Sequence, residues 1–298
     1  MAPEKQKSVL ITIDVEDWFQ VENLRPWFPP SVWDTQETRV QRNTTRLLDL
    51  FDTFRPSIKA TFFVLGWIAQ RFPDVVREIQ SRGHEVASHG NSHLLNNHMD
   101  EATLRQDLDK SKKLLEDITG TQVRGYRAPN FSINDRVLQL IKKSGYTYDS
   151  SYNSFDKHGR YGRISTNGSR KAGAAIEIDP QFIELPISNL SLFGQTLPWG
   201  GGGYFRLLPL SLFTLGVRNI LATNGAYIFY LHPWEIDPEQ PRPNAVKGVN
   251  AWRHYLNLEK TFDRLAELIT RFKTCKFITC SQYLKTITIE PPKGNSKT

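Results

Sequence analysis

His84-Glu85-Val86-Ala87-Ser88-His89-Gly90-Asn91-Ser92-His93 is the stretch from which the rest of the chain can be read. Gly83 ends a helical pattern, residues 84–89 predict a short strand, and the loop leaving it carries a second histidine. His89 and His93 lie four positions apart with only small or polar residues between them. Neutral imidazole is a preferred ligand of zinc and similar ions, so the pair can hold one ion. On its own the spacing is also a common accident. Its weight comes from how the other strands end.

Residues 8–14 form a β-branched run that closes on the acid cluster Asp14-Val15-Glu16-Asp17. Further strands are predicted at 60–65, at 123–126 before Arg127-Ala128-Pro129, at 146–149 ending in Asp149, at 182–186, at 225–231 before His232-Pro233-Trp234, and at 276–279. Helical periodicity fills the gaps at 38–54, 68–81 (Pro73 marking a restart), 99–120, 134–144, 209–223 and 252–271. This alternation is that of βα units around a parallel sheet, an α/β barrel-like domain for which 298 residues suffice. In such barrels the reactive groups stand at the C-terminal ends of strands. Here those ends read Asp14, His89, Arg127, Asp149 and His232. Each has a structural explanation by itself: a helix cap, an ion pair, a satisfied core histidine. Five on one face point to one site.

Two histidines and a carboxylate leave room at a metal for water or substrate, as hydrolytic sites require. The acid cluster can supply both a third ligand and a general base, and His232 an acid for the leaving group. Residues 18–33 are rich in proline and aromatics and read as a loop over the barrel mouth. Its Trp18, Trp27 and Trp33 either stack on sugar rings or belong to the core. Gly200-Gly201-Gly202-Gly203 either lets the backbone pass close to a neighbour or forms a flexible loop.

Composition narrows the function class. No apolar run of 18 residues exists, so no membrane span is expected. The net charge of +7 is spread along the chain without a basic stripe interleaved with aromatics, which argues against nucleic acid and leaves anionic lipid or acidic glycan open. Residues 1–7 are charged and run straight into a strand with no leader-like apolar segment, the pattern of a cytoplasmic protein. Cys275 and Cys280 read as idle thiols. The oligomeric state has no signature. Residues 1–7 and 291–298 are expected as tails around a single domain at 8–290.

These motifs resemble the NodB-homology polysaccharide deacetylases, carbohydrate esterase family four. The resemblance rests on Thr12-Ile13-Asp14-Val15-Glu16-Asp17, Ser88-His89-Gly90-Asn91-Ser92-His93, Arg127-Ala128-Pro129-Asn130-Phe131-Ser132 and Leu231-His232-Pro233-Trp234-Glu235. The stretches Gly202-Gly203-Tyr204-Phe205-Arg206 and Trp252-Arg253-His254-Tyr255 are similar to the branch tied to bacterial exopolysaccharide and exosortase loci. The resemblance implies a distorted (β/α)7 barrel and metal-dependent hydrolysis of N-acetyl groups on an amino-sugar glycan. It implies zinc, with cobalt, nickel or manganese as other candidates; whether the substrate is a lipid-linked intermediate, reached peripherally, or a free polymer is left open by the sequence. By position Asp14 is the base, His232 the acid, His89 and His93 the ligands. Arg127 orients the base and Asp149 supports that network. Asn130, Phe131, Trp234 and Tyr204 are expected to contact substrate. The family pattern has two adjacent aspartates where this chain has Asp14, Glu16 and Asp17, so the third ligand is Asp17 or Glu16, with Asp17 favoured. Two other functions compete: a C–N hydrolase of small amides or ureides on the same scaffold, and a non-catalytic glycan-binding module, which Asp14 and His232 argue against.

Overall fold

A computed structural model describes residues 6–155 and 161–287. Of the expected tails at 1–7 and 291–298, residues 1–5 and 291–298 lie outside these residues. In chain order the elements are β1 (Ser8–Val15), α1 (Val40–Thr53), β2 (Thr61–Val64), α2 (Gly66–Arg71), α3 (Pro73–Ser81), β3 (Glu85–Ser88), α4 (Glu101–Thr119), β4 (Gly125–Tyr126), α5 (Asp135–Lys143), β5 (Tyr148–Asp149), β6 (Arg170–Ala172), β7 (Ala175–Asp179) and β8 (Phe182–Glu184). There follow β9 (Asn189–Leu192), β10 (Gln195–Pro198), α6 (Gly202–Leu207), α7 (Leu210–Asn224), β11 (Ala226–Leu231), α8 (Gly248–Tyr255), α9 (Leu258–Arg271), β12 (Lys276–Phe277) and α10 (Cys280–Thr286).

The seven strands β11-β1-β2-β3-β4-β5-β8 are neighbours in that order, and every pair among them is parallel. β7 and β6 continue the sheet antiparallel beyond β8, and β12 adds to β1. The chain leaving β8 returns to the opposite edge. There Ile228 N donates to Ser188 Oγ (2.9 Å) and Tyr230 N to Gly200 O (2.7 Å), so the sheet curls into the expected distorted barrel. β1 is buried along its whole length, as its β-branched run required, and its side chains pack on both faces.

The helices lie where their apolar periodicity put them. Gly120 closes α4 at φ 65 and Pro73 restarts the helix after α2. The single helix expected at 252–271 is two, α8 and α9, because Asn257 at φ 51 turns the chain between them. The two small antiparallel hairpins, β6–β7 and β9–β10, were not foreseen; strands of three to five residues are too short to show a period. Residues 18–35 hold three short 3-10 turns, and Trp18 and Trp33 are fully buried in the core with Trp27 packed beside them. The core reading of those tryptophans therefore holds. Of the four glycines, Gly200, Gly201 and Gly202 press against neighbours that a Cβ would strike at 2.3–2.7 Å, while Gly203 faces open space. Cys275 and Cys280 are free thiols.

Candidate functional site

The ends of β1, β3, β4 and β11 surround a cavity of about 310 Å³. Asp14, Glu16, His89, His93, Asn130, Phe131, Tyr204, His232 and Trp234 all line it. Arg127, Asp149 and Asp17 do not. The outcomes differ for these three.

Glu16, His89 and His93 are buried and present ligand atoms all within 4.8 Å of one another. Oε2 of Glu16 lies against Nε2 of His93 and 4.0 Å from Nε2 of His89, yet has no hydrogen-bond partner. His89 Nδ1 donates to the Arg127 carbonyl (2.8 Å), which leaves its Nε2 lone pair facing the cluster. Burial holds the His89 ring down to about 4, with the His93 and Arg127 charges adding to it, so the imidazole is neutral. Burial works to raise Glu16, but His93 and His232 outweigh it and the carboxylate falls to about 2. Two imidazoles and one ionised carboxylate with an orphaned oxygen fit a divalent cation.

The expected preference for Asp17 is corrected. Its carboxylate turns away from the cluster and accepts from the backbone N–H of Trp18 (2.9 Å), Arg39 (2.7 Å) and Val40 (3.0 Å). It caps the turn after β1 and anchors the start of α1.

The loop bearing the two histidines is held from behind. Asp107 on α4 accepts from Asn91 N (2.7 Å), Ser92 N (3.0 Å) and Ser92 Oγ (2.5 Å). Gly90, at φ 75, makes the turn, and a Cβ there would meet Asp107 at 3.0 Å. His93 is left at φ 55, a strained backbone for a residue with a Cβ. Asp107→Ala is expected to weaken divalent-cation binding at the Glu16, His89 and His93 cluster by at most the roughly 10–100-fold that losing a direct partner of a ligand costs, as read by competition with a chromogenic chelator.

Arg127 is fully buried beneath the cavity. Its Nη1 donates to Asp14 Oδ1 (2.7 Å) and Thr12 Oγ1 (2.8 Å), its Nε to Ser150 O (3.0 Å) and its Nη2 to Ser150 Oγ (2.9 Å). The second oxygen of Asp14 is left facing His232 Nε2 at 3.9 Å. Asp149, expected in this network, does not bond Arg127. It accepts from Ser151 N (3.0 Å) and Oγ (2.8 Å), and Ser151 Oγ accepts from Ala128 N (2.8 Å), so it braces the backbone next to Arg127.

Asp149 also pairs in register with Glu184 on β8, and burial of two adjacent carboxyls raises both, Glu184 well above the ordinary range. Two buried carboxyls side by side favour one shared proton over two charges. A carboxyl raised by folding contributes stability that is complete below its unfolded value near 4 and is lost as pH climbs through the folded one. Glu184→Gln is expected to flatten the alkaline decline of the urea midpoint; an unchanged decline would refute the shared proton.

His232 follows β11 and is fixed by a carboxylate that sequence reading left unassigned. Its Nδ1 meets Glu235 Oε1 at 2.8 Å, and Glu235 Oε2 is held by Arg206 Nε at 2.7 Å. Arg206 in turn donates to the carbonyls of Arg253, His254 and Leu256. A Cβ on Gly202 would strike the Glu235 carboxylate at 2.3 Å, so glycine there admits the pair. The available signal was the spacing: after His-Pro, a carboxylate three residues on folds back as in a capping box. Burial lowers His232, but Glu16, Glu235 and Asp14 prevail and lift it to about 9.

Around these groups Trp234 stacks on His232 (5.3 Å) and on His254 (4.3 Å), while Tyr204, Tyr230 and Trp252 complete an aromatic wall. Asn130 and Phe131 both adopt positive φ, and Asn130 Nδ2 has no partner.

Residues 2–148 match the family model described as polysaccharide deacetylase. The N-terminal half of the chain belongs to the polysaccharide deacetylase family. Residues 150–285 match a second model, described as a domain of unknown function (DUF3473), and this half supplies β8, β11, His232 and Glu235. A peptidoglycan deacetylase of Helicobacter pylori is 33% identical over 128 residues, 42% of this chain and 42% of that protein. A peptidoglycan-N-acetylglucosamine deacetylase of Bacillus cereus is 32% identical over 103 residues, 35% of this chain and 47% of its own length. The chain thus spans under half the length of these curated relatives. The fold matches the crystal structure of a candidate polysaccharide deacetylase of Mycobacterium smegmatis with a TM-score of 0.64 and 22% identity, over 98% of this chain and 97% of that one. The family's sheet is here completed by strands from both matched halves.

Proposed function

We propose that this member of the polysaccharide deacetylase family is a metal-dependent hydrolase that removes N-acetyl groups from amino sugars in a glycan, within exopolysaccharide assembly. The carrying observation is that Asp14, held by Arg127, and His232, held by Glu235, face each other beside the Glu16, His89 and His93 cluster on one cavity floor. Glu16, His89 and His93 would hold a divalent cation, zinc by the donor set of two imidazoles and one carboxylate, and that ion would supply Lewis-acid polarisation of the acyl oxygen and acidify a water.

The chain's own groups divide the proton work. Asp14 Oδ2 accepts the proton of the attacking water, while Arg127 holds Oδ1 and keeps the carboxylate aimed. His232 carries its proton on Nε2 toward the cavity, because Glu235 occupies Nδ1, and gives it to the departing amine. The raised His232 supports the acid role. Tyr204 and Trp252 offer ring faces to the sugar, Trp234 lines the cavity while its ring stacks on His232 and His254, and the free Nδ2 of Asn130 is a donor for a substrate oxygen.

Acetate release from N-acetylglucosamine oligomers tests the reading, using metal-stripped protein and protein reloaded with zinc or cobalt. Release only after reloading, lost in Asp14→Asn and His89→Ala, is the expected result. Stoichiometric metal binding with no release from any N-acetylated oligomer would overturn it.

A further inference from the structure

The half of the chain after β8 distributes charge and apolar surface unlike the rest. Residues 185–234 and 240–258 contain no aspartate or glutamate. They do contain Arg218, Arg242, Lys247 and Arg253, all exposed and none ion-paired with a described residue. Among the described residues, the large hydrophobics left in solvent concentrate in this same half. Phe193, at the tip of the β9–β10 hairpin, is 95% exposed; Leu192 beside it, Leu212 and Leu215 on α7, Val249 and Trp252 on α8, and Leu207 are also exposed.

These residues are linked in space. β9 packs against α7, Leu212 and Leu215 lie three apart on one outer face of that helix, and α7 starts just after Leu207. Leu207, which precedes α7, lines the cavity together with Trp252 and Arg253 of α8. A projecting phenylalanine, an outward leucine pair and a rim tryptophan, in a half of the chain that also exposes Arg218, Arg242, Lys247 and Arg253, match what the headgroup region of an anionic bilayer accepts. We propose that this face seats the protein on an anionic lipid bilayer, with the cavity mouth at the membrane surface. Lipid binding stands on the surface alone; the advantage of that orientation, delivery of a membrane-anchored glycan, rests on the function proposed above.

Co-sedimentation of the full chain with vesicles of phosphatidylcholine and about one-third phosphatidylglycerol tests this, with pure phosphatidylcholine vesicles as control. Binding to the anionic vesicles and little to the neutral ones is expected. The doubly substituted Phe193→Ser, Leu215→Ser protein is expected to bind at least about tenfold more weakly, because both apolar groups are lost from the interface. Arg218→Glu with Lys247→Glu is expected to abolish the preference for anionic lipid. Acetate release from soluble oligomers should be unchanged in both variants, which separates this proposal from the activity itself. No sedimentation of the unsubstituted chain, or equal sedimentation of all variants, overturns it. So does a dimer in solution that Phe193→Ser, Leu215→Ser converts to monomer, since the face would then belong to a second copy.

Discussion

Glu16→Gln is expected to abolish stoichiometric divalent-metal binding and to lower acetate release by more than the roughly 10–100-fold that losing an outer-shell partner costs. The amide keeps the size of the side chain and removes the one charge among the three ligands, replacing the orphaned Oε2 with a group that cannot serve two imidazole neighbours as an anion. Asp17→Asn should give the opposite pattern. Metal content should stay stoichiometric, while stability drops by about 1–3 kcal/mol because three buried N–H groups lose part of their acceptor. Elemental analysis of both variants, alongside urea unfolding of the metal-free proteins, separates them. A Glu16→Gln protein that still holds one zinc would remove Glu16 from the ligand set.

The second large effect concerns stability. Arg127→Ala leaves Asp14 as a buried carboxylate without its cation and also strips donors from Thr12 and Ser150. Breaking one side of such a pair costs about 3–5 kcal/mol, a large part of the stability of a typical domain. Arg127→Lys keeps the charge but not the planar fork that spans Asp14 and Ser150 together, so it should fall between the two. Urea midpoints measure this directly. Adding Asp14→Asn to Arg127→Ala should recover part of the loss, since the unpaired charge is then gone; strict additivity would mean that the two groups do not interact. Activity should follow orientation, with kcat falling in Arg127→Lys more than KM rises.

Much of the site was readable before any coordinates. Parallel-sheet strands expose their C-terminal ends on one face, and that rule alone gathered Asp14, His89, Arg127 and His232. The ligand choice failed for want of a second rule that was also available. Side chains two apart at a strand end share a side, so Glu16 goes with Asp14, and Asp17 goes with the buried Val15. Arg206 and Asp107 were beyond reach for another reason. They reach across from a different helix, and such contacts leave no period in the sequence; Glu235 left only its three-residue spacing from His232 as a signal. Asp149 shows the reverse error: its position at a strand end was right for a site residue, but its oxygens face the serine two residues on.

β1 and β11 are paired in parallel from Ser8 with Ala226 to Ile13 with Leu231. The next step along each strand delivers the residue proposed as base and the residue proposed as acid. The backbone ladder is thus a ruler for the chemistry, since a slip of one residue would carry His232 about 3.3 Å along the barrel and turn its side chain to the other face. One of the two strands comes from each matched half of the chain. The spacing on which proton transfer depends is therefore set by main-chain hydrogen bonds, which side-chain replacement in either half leaves in place. The walls around the site are free to vary while the distance between Asp14 and His232 stays fixed.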